Sequence, residues 1–89
     1  MEKLRRHIIF YGAVQGVGFR YRAYHAANSL GVTGWVKNLW DGSVEMEAEG
    51  SEEAIDRMIM AVERGTFVRI ENISAKTIPL QNDRSFQIL

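Results

Sequence analysis

Arg20 closes a run, Gly12-Ala13-Val14-Gln15-Gly16-Val17-Gly18-Phe19-Arg20, whose three glycines are too many for a regular element. The residues before it, Leu4 to Tyr11, are rich in Ile, Phe and Tyr and read as a strand. Those after it carry apolar side chains at helical spacing. A glycine-rich loop in that position can turn its backbone N–H groups inward and approach a ligand closely. The helix start adds unpaired donors and a partial positive charge. An arginine in the first turn brings a planar cationic fork that can grip an oxyanion through two parallel hydrogen bonds. The chemistry these residues suit is the holding of a phosphate-like anion. By spacing alone, a plain strand-to-helix turn with a surface arginine fits equally well. The Walker pattern G-x-x-x-x-G-K-[ST] is absent, and so is the dinucleotide spacing G-x-G-x-x-G.

The other reactive side chains read as scaffold. His7 falls in the first strand and His25 on the first helix, and neither stands near a cysteine or a carboxylate cluster in the sequence. Both are expected to be structural or on the surface. Glu45, Glu47 and Glu49 imitate a metal site in composition, but at period two they form one strand face, expected to be its solvated side. Trp35 and Trp40 are expected to pack, with Trp40 at the mouth of the site. Met46, Met58 and Met60 are expected as filler between helix and sheet. There is no cysteine, which excludes a Cys-based metal site and requires a core that holds without disulfides.

The elements that must position the loop emerge from the periodicity. Phe19, Ala23, Ala26, Ala27 and Leu30 mark a helix stopped by Gly31. Val32 to Leu39 reads as a strand, with Val32, Gly34 and Val36 on one face and Trp35 and Lys37 on the other. Asp41-Gly42 signals a tight turn. Val44, Met46 and Ala48 then alternate with the three glutamates. Ser51 caps a second helix that has Glu52 and Glu53 in its first turn, Ile55, Met58, Ile59 and Val62 on its apolar face, and Gly65 as its stop. Phe67 to Ile78 reads as a strand with a bulge near Asn72, ended by Pro79, and Phe86 to Leu89 as a short last strand. The order β-α-β-β-α-β, with an extra C-terminal strand, predicts an α+β ferredoxin-like two-layer sandwich. That order alone carries no chemistry.

The bulk properties bound the function. The 89 residues are expected to form a single domain, residues 1–89, with no repeat, linker or low-complexity segment. Eleven basic residues balance eleven acidic ones. Lys3, Arg5, Arg6, Arg20 and Arg22 crowd the start, and the stretch 41–56 is acidic. A neutral chain with one basic end is a poor nucleic-acid binder, yet it suits one small anion held at one spot. The opening MEKLRRHIIF is too short in apolar residues for a signal peptide, and no stretch approaches a membrane span. The expectation is a cytoplasmic protein with no nucleic-acid or membrane partner.

Two long motifs give the chemistry a name. The run Ile9-Phe10-Tyr11-Gly12-Ala13-Val14-Gln15-Gly16-Val17-Gly18-Phe19-Arg20 resembles the acylphosphatase signature ending V-Q-G-V-x-F-R. Downstream, Gly34-Trp35-Val36-Lys37-Asn38-Leu39-Trp40-Asp41-Gly42-Ser43-Val44, followed by Gly50, is similar to the family's second signature, G-[FWY]-V-x-N-x-x-x-G-x-V-x(5)-G. The resemblance runs from about Leu4 to Gly65. Beyond it Gly65-Thr66 stands where family members often carry Gly-Pro.

The resemblance implies a metal-independent, cofactor-free hydrolase that cleaves acyl phosphates, the mixed anhydrides of a carboxylate and phosphate. Arg20 is then the phosphate-binding arginine, and the backbone N–H groups of Gln15, Gly16, Val17, Gly18 and Phe19 complete the cradle. Asn38 corresponds to the asparagine that positions the attacking water. Its amide carries both donor and acceptor, as aiming a water requires. A carboxylate leaves easily, so neither a metal nor a strong acid is demanded, and a loose phosphoryl transition state is helped mainly by positioning and charge. A substrate phosphate oxygen takes the water's proton in the family mechanism. The expected partners are a small acyl phosphate and inorganic phosphate as product and inhibitor, on a monomer. Two rivals differ in class. An RNA-recognition module of the same fold would carry K/R-G-F/Y-G/A-F-V-x-F/Y on its third strand, where this chain has acidic Val44-Glu45-Met46-Glu47-Ala48-Glu49. An acylphosphatase-like domain of a larger carbamoyl-transfer protein would share the loop, and a chain ending at Leu89 is expected to be the free-standing enzyme instead.

Overall fold

The computed structural model describes residues 2–89. The elements are β1 (Leu4–Ala13), α1 (Phe19–Leu30), β2 (Thr33–Asn38), β3 (Val44–Gly50), α2 (Glu52–Glu63), β4 (Arg69–Ile78) and β5 (Phe86–Ile88). The strands form one sheet in the order β4-β1-β3-β2-β5. All neighbours are antiparallel except β2 and β5, which run parallel. With two helices packed on that sheet, this is the expected ferredoxin-like sandwich with its extra C-terminal strand.

Alternation builds the core. Ile8 and Phe10 on β1, Val36 on β2 and Val44, Met46 and Ala48 on β3 point to the helices and are fully buried. They meet Phe19, Ala23 and Ala27 of α1 and Ile55, Met58 and Val62 of α2. Each of the larger side chains contributes roughly 1.5–3 kcal/mol by leaving water. The caps agree with the sequence. Ser51 Oγ accepts the N–H of Ala54 at 3.1 Å, with Glu52 and Glu53 in the first turn of α2. The left-handed Gly31 ends α1, its N–H returning to the Ala27 carbonyl.

Several expectations need correction. β1 continues past Tyr11 to Ala13, because Gly12 and Ala13 pair with Ile70 and Arg69 of β4. The register skips Glu71 there, which is the bulge expected near Asn72. Phe67 lies before β4 and is exposed. Met60 is half exposed, since two residues beyond Met58 is about 200° around the helix from the buried face. The cap of α2 is Arg64 in right-handed backbone, not Gly65. Among the described residues no helix is long and apolar enough to cross a membrane.

The open face of the sheet is not simply solvated. Glu49 is fully buried against Arg5, and Glu47 also pairs with Arg5. Burial pushes the Glu49 carboxyl up. The N–H of Gln81, the Arg5 guanidinium and the N–H of Asn82 outweigh it and hold the group below its ordinary value. His7 does have a carboxylate partner, with Nε2 2.7 Å from Glu45 Oε2. Trp35 is half buried on this face, and the Lys37 ammonium lies 5.5 Å from its ring centroid.

Candidate active site

The loop Val14–Gly18 joins β1 to α1, and it leaves the helix start open. Gly16 (φ 72°) and Gly18 (φ 80°) are both left-handed. A Cβ built on either would meet nothing within 4 Å, so it is the backbone angle that favours glycine, and open space lies beside it. Gly18 occupies the N-cap position of α1 and supplies no side-chain cap, and the first turn holds no acid. The first turn of the helix closes with Arg22 N donating to Gly18 O at 3.0 Å. The N–H groups of Phe19, Arg20 and Tyr21 therefore face the end of the helix without helical partners. The contrast with the self-capped α2 is plain: α1 presents its positive end to a ligand.

An open cleft of about 300 Å³ lies at that end, lined by Val14, Gly16, Gly18, Phe19, Arg20, Tyr21, Asn38 and Ile88. Of the residues read from sequence, Arg20, Asn38, Gly16, Gly18 and Phe19 come together around it. Gln15 and Val17 do not line it. Arg20 donates from Nη1 to the main-chain oxygen of Leu89 at 3.0 Å. That contact ties one arm of the guanidinium and leaves the rest of the fork without a protein partner among the described residues.

Asn38 is the last residue of β2, opposite Val44 of β3, and this half-buried residue lines the same cleft from a second element. The turn after it fixes its backbone. Leu39 N donates to Ser43 O at 2.9 Å and Gly42 N to Leu39 O at 3.2 Å. Asp41 Oδ1 accepts the Ser43 hydroxyl and, at 3.0 Å, its N–H. Those two bonds, the hydroxyl's first, hold the Asp41 carboxyl below its ordinary value.

Gln15 plays a part that its sequence position does not disclose. Its Nε2 donates to Leu39 O at 2.6 Å and to Ser43 O at 2.8 Å, so the side chain ties the cradle loop to the turn behind Asn38. The one signal in the sequence is a primary amide inside an otherwise apolar loop, because a half-buried amide must find partners. Gln15→Ala is expected to lose about 1–3 kcal/mol of stability, two hydrogen bonds' worth. Turnover should fall several-fold at nearly unchanged KM. Gln15→Glu, an acceptor facing two acceptors, should do no better. Wild-type turnover in Gln15→Ala would show that the tie does not matter. Sequence reasoning also misses Val14, Tyr21 and Ile88, which wall the cleft, and the Leu89 main-chain oxygen. Trp40, expected at the mouth, is 99% exposed and lines nothing there.

Among the described residues no group of three or more His, Asp or Glu side chains is placed to hold a metal ion. The pattern that defines the acylphosphatase family matches residues 6–88. The chain belongs to the acylphosphatase family. The match continues beyond Gly65, through β4 and β5, so the Gly65-Thr66 departure is local. An acylphosphatase of Geobacillus thermodenitrificans is 42% identical over 87 residues, covering 96% of this chain and 93% of the relative. The crystal structure of acylphosphatase from Bacillus subtilis superposes with a TM-score of 0.89 at 41% identity, covering 97% of this chain and 98% of that one. T. kodakarensis HypF matches with a TM-score of 0.81 and 38% identity, over 99% of this chain and 12% of that protein.

Proposed function

We propose that this protein hydrolyses acyl phosphates to carboxylate and inorganic phosphate by direct attack of water, with Arg20 and the open start of α1 holding the phosphate. The observation that carries this reading is the meeting of Arg20, the left-handed Gly16 and Gly18, and Asn38 around one cleft. A phosphate dianion there meets unpaired backbone donors, the positive helix end and a guanidinium. Asn38, lining the same cleft from the end of β2, orients a water for in-line attack on phosphorus. The P–O bond to the acyl group breaks, the carboxylate leaves with that electron pair, and the water's proton passes to a phosphate oxygen. Val14, Tyr21 and Ile88 offer the acyl end an apolar wall. No step requires a metal, because the leaving group is already a weak base and the charge is met by fixed protein donors.

The test is hydrolysis of benzoyl phosphate with and without chelator. The rate is expected to be unchanged by chelator and to be inhibited competitively by inorganic phosphate. Loss of most activity in chelator, restored by a divalent ion, would refute the metal-free route. A binding module of the same fold would give no turnover in either arm.

A further inference from the structure

Arg5 sits on the sheet face that the helices leave open, yet its side chain is fully buried. Its Nε donates to Glu47 Oε1 at 2.8 Å and its Nη1 to Glu49 Oε1 at 3.1 Å. Nη2 lies 3.0 Å from Asp83 Oδ2, an ion pair without hydrogen-bond alignment. Glu49, equally buried, also accepts the N–H groups of Gln81 at 2.8 Å and Asn82 at 3.0 Å, with Lys3 Nζ 3.6 Å away. Asn82 is the one described residue other than glycine with positive φ, 57°, and its backbone turns two successive N–H groups onto one carboxylate. From Pro79 to Ser85 no residue is buried. Nothing apolar therefore anchors this segment, and the polar contacts with Arg5 and Glu49 are what seat it.

The chain then runs from this segment to the active site. Gly34 N donates to Ser85 O at 3.0 Å, and β5 pairs in parallel with β2 through Gly34↔Phe86 and Val36↔Ile88. Leu89 N donates to Val36 O at 2.8 Å, and Leu89 O accepts Arg20 Nη1. Ile88 lines the cleft. We propose that the buried Arg5–Glu49 pair is a latch that seats the 81–83 turn, and that through β5 it sets where the main-chain oxygen of Leu89 holds the Arg20 guanidinium. Arg5 is thus a positioning residue for the reaction, acting from the opposite face of the sheet. The proposal rests on Arg20 as the phosphate-binding group. Misplacing such a group by a fraction of an ångström weakens binding without unfolding anything.

The test uses the full chain with Arg5→Lys and Asp83→Ala, alone and combined with Arg20→Ala. Lysine keeps the charge but cannot span three carboxylates. Asp83→Ala lies on an exposed turn and removes no core packing, so it carries the test even if Arg5→Lys fails to fold. Each folded variant is expected to raise the KM for benzoyl phosphate and the inhibition constant of inorganic phosphate, about threefold to tenfold for Arg5→Lys and about twofold for Asp83→Ala. Amide exchange should quicken at Gly34 and Leu89, at the two ends of the β5 attachment, and stay unchanged between β1 and β3. In the Arg20→Ala background the same substitutions should change KM little, because there is no longer a guanidinium to misplace. A lowered Tm with KM and phosphate inhibition unchanged would reduce Arg5 to a stabilising residue and overturn the proposal. So would its full effect persisting without Arg20. A fully active Arg20→Ala enzyme would instead remove the phosphate-binding reading, and the latch with it.

Discussion

Arg20→Ala is expected to lower kcat/KM by on the order of a hundredfold or more and to weaken inhibition by inorganic phosphate. Among the described residues the side chain is the one cation lining the cleft, beside backbone donors that are neutral. During the reaction charge on the substrate shifts toward the bridging oxygen, so a fixed cation gains strength as the bond opens. A preorganised donor of this kind is worth about 3–4 kcal/mol, and a cationic fork should reach at least that. The main-chain oxygen of Leu89 raises the expectation. By holding Nη1 it fixes the guanidinium plane before substrate arrives, so little rotamer freedom is left to lose on binding. Lysine should rescue poorly, because a single ammonium cannot serve the Leu89 oxygen and grip the phosphate through parallel bonds at once. An exposed arginine at an ordinary helix start would instead move stability by no more than about 0.5 kcal/mol and leave activity alone. Kinetics and phosphate inhibition for wild type, Ala and Lys, with the fold of each checked by circular dichroism, separate the two.

The same residues show what a sequence can and cannot disclose. Periodicity finds every element, because Ile8 and Phe10, Val44 to Ala48 and the Ile55–Val62 stripe bury what the pattern says they bury. The cradle is legible for a related reason. Gly16 and Gly18 are where the backbone must turn left-handed, an angle that glycine adopts without the steric cost most side chains bring. The misreadings of Glu49, Gln15 and His7 share a different cause, since each depends on a partner distant in sequence. Glu49 looks solvated because its strand alternates, but the segment that buries it arrives 32 residues later with Gln81. Gln15 looks like one more backbone donor because its side-chain partners lie 24 and 28 residues away. His7 looks free because Glu45 belongs to another strand. Trp40 is misplaced by the opposite error: a large apolar residue is expected to pack, although a side chain at a turn tip has nothing to pack against.

Asn38→Ala is expected to lower kcat by about a hundredfold while leaving phosphate bound almost as tightly as in the wild type. The asymmetry comes from where Asn38 stands. The anion donors belong to the start of α1 and to Arg20, whereas Asn38 closes a different element, β2, and lines the same cleft from there. Inorganic phosphate needs only the first group; the reaction also needs a water brought to one face of the phosphorus in one orientation. An amide can accept one proton of that water and donate elsewhere, which fixes the lone pair's direction. The turn 39–43 and the Gln15 tie hold the amide's backbone in place, so the substitution removes the aim without disturbing the cradle. Asn38→Asp should restore little, because a carboxylate facing a bound dianion repels it and carries no donor. The measurements are kcat, KM and the phosphate inhibition constant for wild type, Ala and Asp, with the fold confirmed in each. If Asn38→Ala lost phosphate binding in step with turnover, Asn38 would belong to the cradle, and the water would have to be positioned by another group.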